Sequence, residues 1–333
     1  MVVETFGQRL RRLREDAGLS QSKLAALVPI SQASLSRYES DDQAADPTTA
    51  ARLDELLNAR GGLRGLLAGA TLNGGVDRER LDRIAQQPRT IDRAGLDALA
   101  AVLATTRRLE DVIGAAPVFE PVRGYLTFVT SLASEARGSI RRDVVDLAGQ
   151  WAEYAGWLHT ALERYDDANM WFGRSLEWAI EAEDDDLAAT VWSFKGHVAW
   201  LLGQTGPTIG LSQVAQRYRD IYPGQLAYDA LQEARGHATE GNAYAVERKV
   251  DESHELAERA LLELAGAPPW HYYRSPAFWD LERGRALYQL PGHAQQAVDF
   301  LTGGLGALPD GQVDADWVTA YRRDLSAAQA LCA

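Results

Sequence analysis

From about Arg141 to its C-terminal end, the chain offers a fold only one kind of secondary structure. Apolar residues recur there at helical spacing in one segment after another, and no stretch alternates as a strand would. Helices that each bury one face must stack on their neighbours, so this part reads as an all-α array. The other end has a different chemistry. Residues 1–60 carry 8 Lys/Arg and 9 Asp/Glu, whereas residues 61–333 carry 26 and 38, and all nine tryptophans and all six histidines lie beyond residue 100. That contrast, with a length of 333 residues, implies two domains or more.

Several classes drop out early. No run approaches the roughly 18 apolar residues of a membrane helix. The start, "MVVETFGQRLRRLRED", is charged almost at once and does not read as a signal peptide. Cys332 is the single cysteine, which excludes intrachain disulfides and Cys-based zinc sites. A cytoplasmic protein is the expectation. The histidines, His159, His197, His237, His254, His271 and His293, are scattered singly without metal-ligand spacing, and neither "G-x-S-x-G" nor "G-x-x-x-x-G-K" occurs. No catalytic residue, metal or cofactor is expected, and the chain does not read as an enzyme. The loop "WHYYR", Trp270 to Arg274, reads as an aromatic plug between helix pairs.

In the first sixty residues the apolar spacing predicts a helix over about 5–17, ended by Gly18, with Phe6, Leu10 and Leu13 inward. Ser20 is a good N-cap for a second helix with Leu24, Ala25 and Val28 inward, stopped by Pro29. Ser31 caps a third, with Leu35 and Tyr38 inward and Gln32, Ala33, Ser34, Ser36 and Arg37 outward. Pro47, Thr48 and Thr49 open a fourth, with Leu53, Leu56 and Leu57 inward, ended by Gly61 and Gly62. Short helices joined by a tight turn form a helix-turn-helix.

"LSQSKLAALVPISQASLSRYES" resembles the phage-repressor/Cro-like class, the XRE family, over roughly residues 5–60. The resemblance implies a five-helix domain over residues 1–62 whose third helix lies in the major groove of double-stranded DNA. It implies a phosphate contact for Gln21, base or backbone contacts for Ser31, Gln32, Ala33, Ser34, Ser36 and Arg37, and a structural ion pair between Arg14 and Glu39. The chemistry suits: Gln grips adenine, Arg grips guanine, Ala meets a thymine methyl. Two departures stand out. Pro29 occupies a turn position where the family usually has Gly, and a pyrrolidine ring is not expected to reach positive φ. Asp41, Asp42 and Asp46 stand where relatives carry basic phosphate contacts, which implies weak binding by one copy and a need for dimers.

Residues 63–138 read as a linker with one short helix, another helix from about Asp77, an amphipathic helix over 91–114 with Leu96, Leu99, Leu103 and Leu109 on related faces, and a further helix after Pro117 and Pro121. Residues 139–333 resemble tetratricopeptide (TPR) repeats, as in "WAEYAGWLHTALERYDDANMWFGRSLEWAIEAED", with Gly156 in a first helix and Tyr165, Ala168, Phe172 and Leu176 in a second. The small residues Gly156, Gly196, Ala234 and Gly284 recur at intervals of 40, 38 and 50 against about 34 in the family. The resemblance implies an α-solenoid of about four helix pairs with a C-terminal capping helix. The fold class expected for the whole chain is therefore all-α.

In TPR proteins the first helix of each pair lines the concave face. That register gives a ligand groove of Glu153, Trp157, Thr160, Ser193, His197, Trp200, Tyr228, Arg235, Arg285 and Tyr288, with Leu231 and Phe278 alongside. Aromatics there would supply contact area, and arginine would grip a carboxylate. An XRE-like head on a TPR-like array resembles the peptide-sensing regulators of Gram-positive bacteria. The expected function is a dimeric, sequence-specific transcription regulator that senses a peptide or small molecule, with no membrane partner. The alternative is a TPR scaffold whose helix-turn-helix no longer binds DNA strongly.

Overall fold

The computed structural model describes residues 5–43, 45–57, 59, 63, 84, 87–309 and 311–332. Fifteen α-helices and no strand occur among the described residues. None of these helices is long and apolar enough to cross a membrane. The chain divides into two compact units, residues 1–128 and 129–333.

In the first unit, four short helices are each started by a side chain that accepts from a free N-terminal N–H. Helix α1 (Phe6–Asp16) is capped by Thr5, which exchanges bonds with Gln8 in a capping box. Ser20 caps α2 (Gln21–Leu27), Ser31 caps α3 (Gln32–Glu39) and Asp46 caps α4 (Pro47–Leu56). Phe6, Leu10, Leu24, Ala25, Val28, Leu35, Tyr38, Ala50 and Leu53 form their shared core. Leu63 is helical and buried in the same core, but the rest of the expected fifth helix lies outside the described residues. So do the short linker helix and the helix expected from Asp77, apart from Ile84.

The turn between α2 and α3 corrects the expectation for Pro29. The Ile30 N–H donates to Ala25 O (3.1 Å), the bond that reverses the chain after a helix, and Pro29 sits between them at φ 24°. A pyrrolidine ring holds φ near −65°, so the turn is strained at Pro29. Pro29 also has no N–H to cap a helix carbonyl.

Helix α5 (Arg93–Ile113) buries Leu96, Leu99, Leu103 and Leu109 on one side. The next helix does not wait for the prolines. Helix α6 (Ala115–Glu135) starts immediately after Gly114, with Pro117 in its first turn, where no N–H is needed, and Pro121 inside.

The second unit is a stack of antiparallel pairs: α7 (Arg141–Ala161) with α8 (Tyr165–Ala182), α9 (Asp185–Leu201) with α10 (Thr205–Ala215), α11 (Pro223–Thr239) with α12 (Ala243–Leu262), and α13 (Pro276–Leu287) with α14 (Ala294–Gly306). Helix α15 (Val318–Cys332) packs on α14 and α13. The first helices of successive pairs also touch, forming one layer of α7, α9, α11, α13 and α15. Small residues sit where the partners of a pair cross. A Cβ on Gly156 would overlap the Phe172 ring, and one on Gly284 would stand 2.5 Å from Leu301 Cγ. Three of the turns within pairs use the same device, a left-handed residue at Glu163 (φ 58°), Gly203 (φ 69°) or Gly241 (φ 71°). The inserted segment between α12 and α13 turns inward. Trp270 Nε1 donates to Thr190 Oγ1 of α9 (3.0 Å), and Arg274 Nη1 donates to Gly224 O (3.2 Å) and Gln225 Oε1 (3.0 Å) of α11.

Candidate DNA interface and helical groove

The outward face of α3 is set from below by a chain of polar side chains. Arg14 is buried, and its Nε and Nη2 meet Glu39 Oε1 (2.5 Å) and Oε2 (2.9 Å) while Nη1 donates to Leu19 O (2.9 Å). Glu39 Oε2 also accepts from Gln21 Nε2 (2.9 Å), and Gln21 Oε1 accepts from Gln32 Nε2 (2.8 Å). Burial alone would raise the Glu39 carboxyl, but the bonds from Arg14 and Gln21 outweigh it and hold the group below its usual range. The relay thus runs from a fixed ion pair to the exposed amide of Gln32. Gln21 is half-buried, with its amide committed at both ends.

Beside Gln32, the side chains of Ala33 and Arg37 are exposed. Ser34 and Ser36 are half-buried. Ser31 is exposed, yet its hydroxyl accepts from the Ser34 N–H (3.0 Å) and lies 2.8 Å from the Ser34 hydroxyl, so its first task is to cap α3.

The aspartates after α3 have structural work that the sequence did not reveal. Asp41 takes the left-handed position (φ 58°) that ends α3, where the Asp42 N–H donates to Arg37 O (3.0 Å). Its carboxylate accepts from the Gly7 N–H (2.8 Å) and the Thr5 hydroxyl (2.5 Å) at the start of α1. Asp42 accepts from the Ser40 hydroxyl (2.6 Å). Asp46 accepts from the Thr49 N–H (2.9 Å) and hydroxyl (2.5 Å). Burial pushes Asp46 up, and those bonds more than reverse it, leaving the carboxyl below its ordinary value.

In the array, the ten groove positions divide. Trp157, His197, Trp200 and Tyr288 are half-buried, but Glu153, Thr160, Ser193, Tyr228, Arg235 and Arg285 are buried. An open groove over all ten is therefore corrected. Helices of one layer pack side by side, so part of each expected face turns into the neighbouring helix. The Thr160 hydroxyl folds back on Gly156 O (2.9 Å), Ser193 donates to Asp229 Oδ1 (2.5 Å), and Tyr228 stacks on Phe278 at 6.0 Å between centroids. Leu231 is buried as well.

The structure does bring together His197, Trp200, Tyr228, Arg235 and Arg285. The Arg235 guanidinium lies 4.7 Å from the Trp200 ring and 5.6 Å from Tyr228, and that of Arg285 lies 5.3 Å from Trp200. Trp157 extends the row, 5.6 Å from Phe194 and 6.4 Å from His197. Burial, with Arg235 and Arg285 adding to it, lowers the His197 pKa well below the ordinary imidazole value.

The network also recruits residues not singled out from the sequence. Glu282 lies between the two arginines, Asp324 Oδ2 accepts from Arg285 Nε (2.6 Å), and the Tyr321 hydroxyl donates to Glu282. Gln225, Asp229 and Gln232 form a buried polar stripe on α11 at helical spacing. That stripe was legible as a pattern, since polar residues four and three apart on a helix between two others face a neighbour rather than water.

Residues 5–67 match a family model described as a helix-turn-helix domain. The array over residues 141–332 is a stack of four helix pairs with a C-terminal helix. No curated protein matches the chain. Among solved structures, one match is the crystal structure of Bacillus thuringiensis PlcR in complex with the peptide PapR7 and DNA. It is 11 % identical, with 99 % of each chain covered and a TM-score of 0.37. At that score neither fold nor function follows from the likeness.

Proposed function

We propose that this chain is a sequence-specific DNA-binding transcription regulator, not an enzyme. Gln32, Ala33 and Arg37 read bases, Ser31, Ser34 and Ser36 flank them, and Gln21 orients Gln32 and approaches a phosphate. Residues 139–333 join two copies and respond to a peptide or small molecule. The observation that carries the reading is the Arg14–Glu39–Gln21–Gln32 relay, which presents an exposed amide on α3 from a rigid base within a helix-turn-helix domain. Pre-oriented side chains on a helix suit base readout.

Titration of the full chain with random and promoter DNA across a salt series tests it. Affinity should fall steeply with salt and favour one sequence. Absence of DNA binding at low salt would sink the reading. Arg37→Ala should relax base choice at one position, at a cost of about 1–3 kcal/mol. Equal weakening on all sequences would make Arg37 a phosphate contact.

A second reading has one observation in its favour. Six of the ten groove positions are filled by the array's own packing, which suits a scaffold or a regulator that needs no effector. Unchanged operator affinity and unchanged assembly in cell extract and in buffer would favour it.

A further inference from the structure

Arg235 and Arg285 are both buried, and they are not fully bonded. Arg235 Nη2 donates to Tyr228 Oη (3.2 Å) and Gln232 Oε1 (3.0 Å), whereas Nε and Nη1 have no hydrogen-bond partner. Arg285 donates through Nε to Asp324 and through Nη1 to Glu282 (3.5 Å), and Nη2 has none. Glu282 Oε2 is 3.7 Å from Arg235 Nε, too far for a good bond. Were that gap to close, Arg235 Nη1 and Arg285 Nη2 would still be unmatched. Buried guanidinium N–H groups without acceptors are costly. Glu282 and Asp324 already match the two cations in charge, so what these N–H groups lack is acceptor oxygens.

One ring covers both. Trp200 lies within cation–π distance of each guanidinium, is half-exposed, and is the penultimate residue of α9, ahead of the Leu202–Gly203 turn. His197 stands beside Trp200, with ring centroids 5.7 Å apart, and continues the half-exposed row of rings. A carboxylate with a flat apolar body matches this layout. Its oxygens take the two guanidinium forks, and its body stacks where Trp200 now covers them.

We propose that Arg235 and Arg285, beneath Trp200, form a binding site for a carboxylate ligand with an aromatic body. This rests on the ligand-sensing part of the function proposed above, and names the chemical class of the effector.

Calorimetric titration of the full chain with sodium benzoate, at constant ionic strength, tests it. Sodium acetate, inorganic phosphate, and the peptide Ala-Ala-Ala-Phe with a free or an amidated C-terminus are the other probes. Benzoate should bind about tenfold more tightly than acetate or phosphate, as expected when stacking adds to the charged forks. A free but not amidated peptide that competes with benzoate would assign the carboxylate to a peptide end. No competition by the peptide would assign it to a small molecule. Arg235→Lys keeps the charge, loses the fork, and should weaken benzoate about tenfold.

No heat from wild-type protein at benzoate on the order of 10 mM, or equal binding by Arg235→Lys, overturns the proposal. Should Arg235→Lys not fold, wild-type crystals soaked in 4-bromobenzoate decide: a bromine peak beside Trp200 supports the site, and its absence there overturns it. The same preparations are titrated with DNA. Benzoate binding without DNA binding would sink the regulator reading alone, and DNA binding without benzoate binding would sink this site alone.

Discussion

The Asp41 carboxylate closes the N-terminal end of α1 by accepting from the Gly7 N–H at 2.8 Å. Gly7 permits the approach, since a Cβ there would stand 2.5 Å from Tyr38 O. The acidic residue beside the proposed DNA face is thus a tie between the first and third helices. Asp41→Ala should lower stability by about 1 kcal/mol, the usual effect of losing a cap. Asp41→Asn keeps an acceptor and tolerates left-handed φ, so it should change stability by only about 0.5 kcal/mol or less. It also removes a negative charge near α3, so its DNA affinity at low salt should exceed wild type. Thermal denaturation and DNA titration of the two variants separate the roles.

Glu39→Gln leaves buried Arg14 with only the exposed Glu15 carboxylate, 3.4 Å from Nη2, as counter-charge. A loss of about 3 kcal/mol is expected, in the range for breaking a buried pair from one side. Gln21 and Gln32 lose their anchor as well, so base preference at the position facing Gln32 should relax. Chemical denaturation and selection from a randomised operator measure the two effects. Unchanged stability would show that the pair is solvated.

Pro29→Gly should stabilise the helix-turn-helix. Glycine reaches positive φ without strain, and it restores an N–H that can bond a carbonyl of the last turn of α2. Against this stands the greater freedom of the unfolded chain, which costs up to about 1 kcal/mol. The net gain expected is about 1 kcal/mol, read as a higher melting temperature of the full chain. A lower melting temperature would mean that the turn carries no strain.

Buried carboxyls in this chain should respond to pH in both directions. Burial lifts Asp229 from 3.8 to about 7, although Ser193 and Gln225 donate to it, and burial, then Asp184, lifts Asp146 to about 7. A carboxyl held above its unfolded value contributes stability that is full below about pH 4. That contribution is lost as pH rises toward 7, by up to about 1.4 kcal/mol per unit and group. Glu39 and Asp46 are held below their usual values, so their contribution is present at neutral pH and lost in acid. His197 is held low as well, so its contribution is lost in acid and opposes those of Asp229 and Asp146. One variant isolates a single group: between pH 5 and pH 8, Asp229→Asn should lose less stability than wild type, read by calorimetry. An equal loss in both would overturn this account.

The caps and core of the first unit were open to sequence reading because they are local. Ser20, Ser31 and the Leu10, Leu24, Leu35 and Leu53 set follow from spacing and capping chemistry alone. The helix pairs were legible for the same reason, through Gly156, Ala168, Phe172 and Gly284. What escaped depends on contacts distant in sequence. Asp41 reads as one more surface acid until Gly7 is placed beside it. Ser193 reads as a groove residue until Asp229, on the next helix of the layer, claims its hydroxyl.

Trp270 and Arg274 bind α9 and α11 from a segment that follows α12. Stacks of repeats generally hold each unit only to its neighbours, so they can open one unit at a time. Here the third inter-pair connection reaches back across a whole pair and couples the second, third and fourth pairs. Unzipping from the C-terminal end must release Thr190 and Gln225 before it reaches their own helices. The array is thereby made a cooperative unit, in which a disturbance at one pair is felt two pairs away.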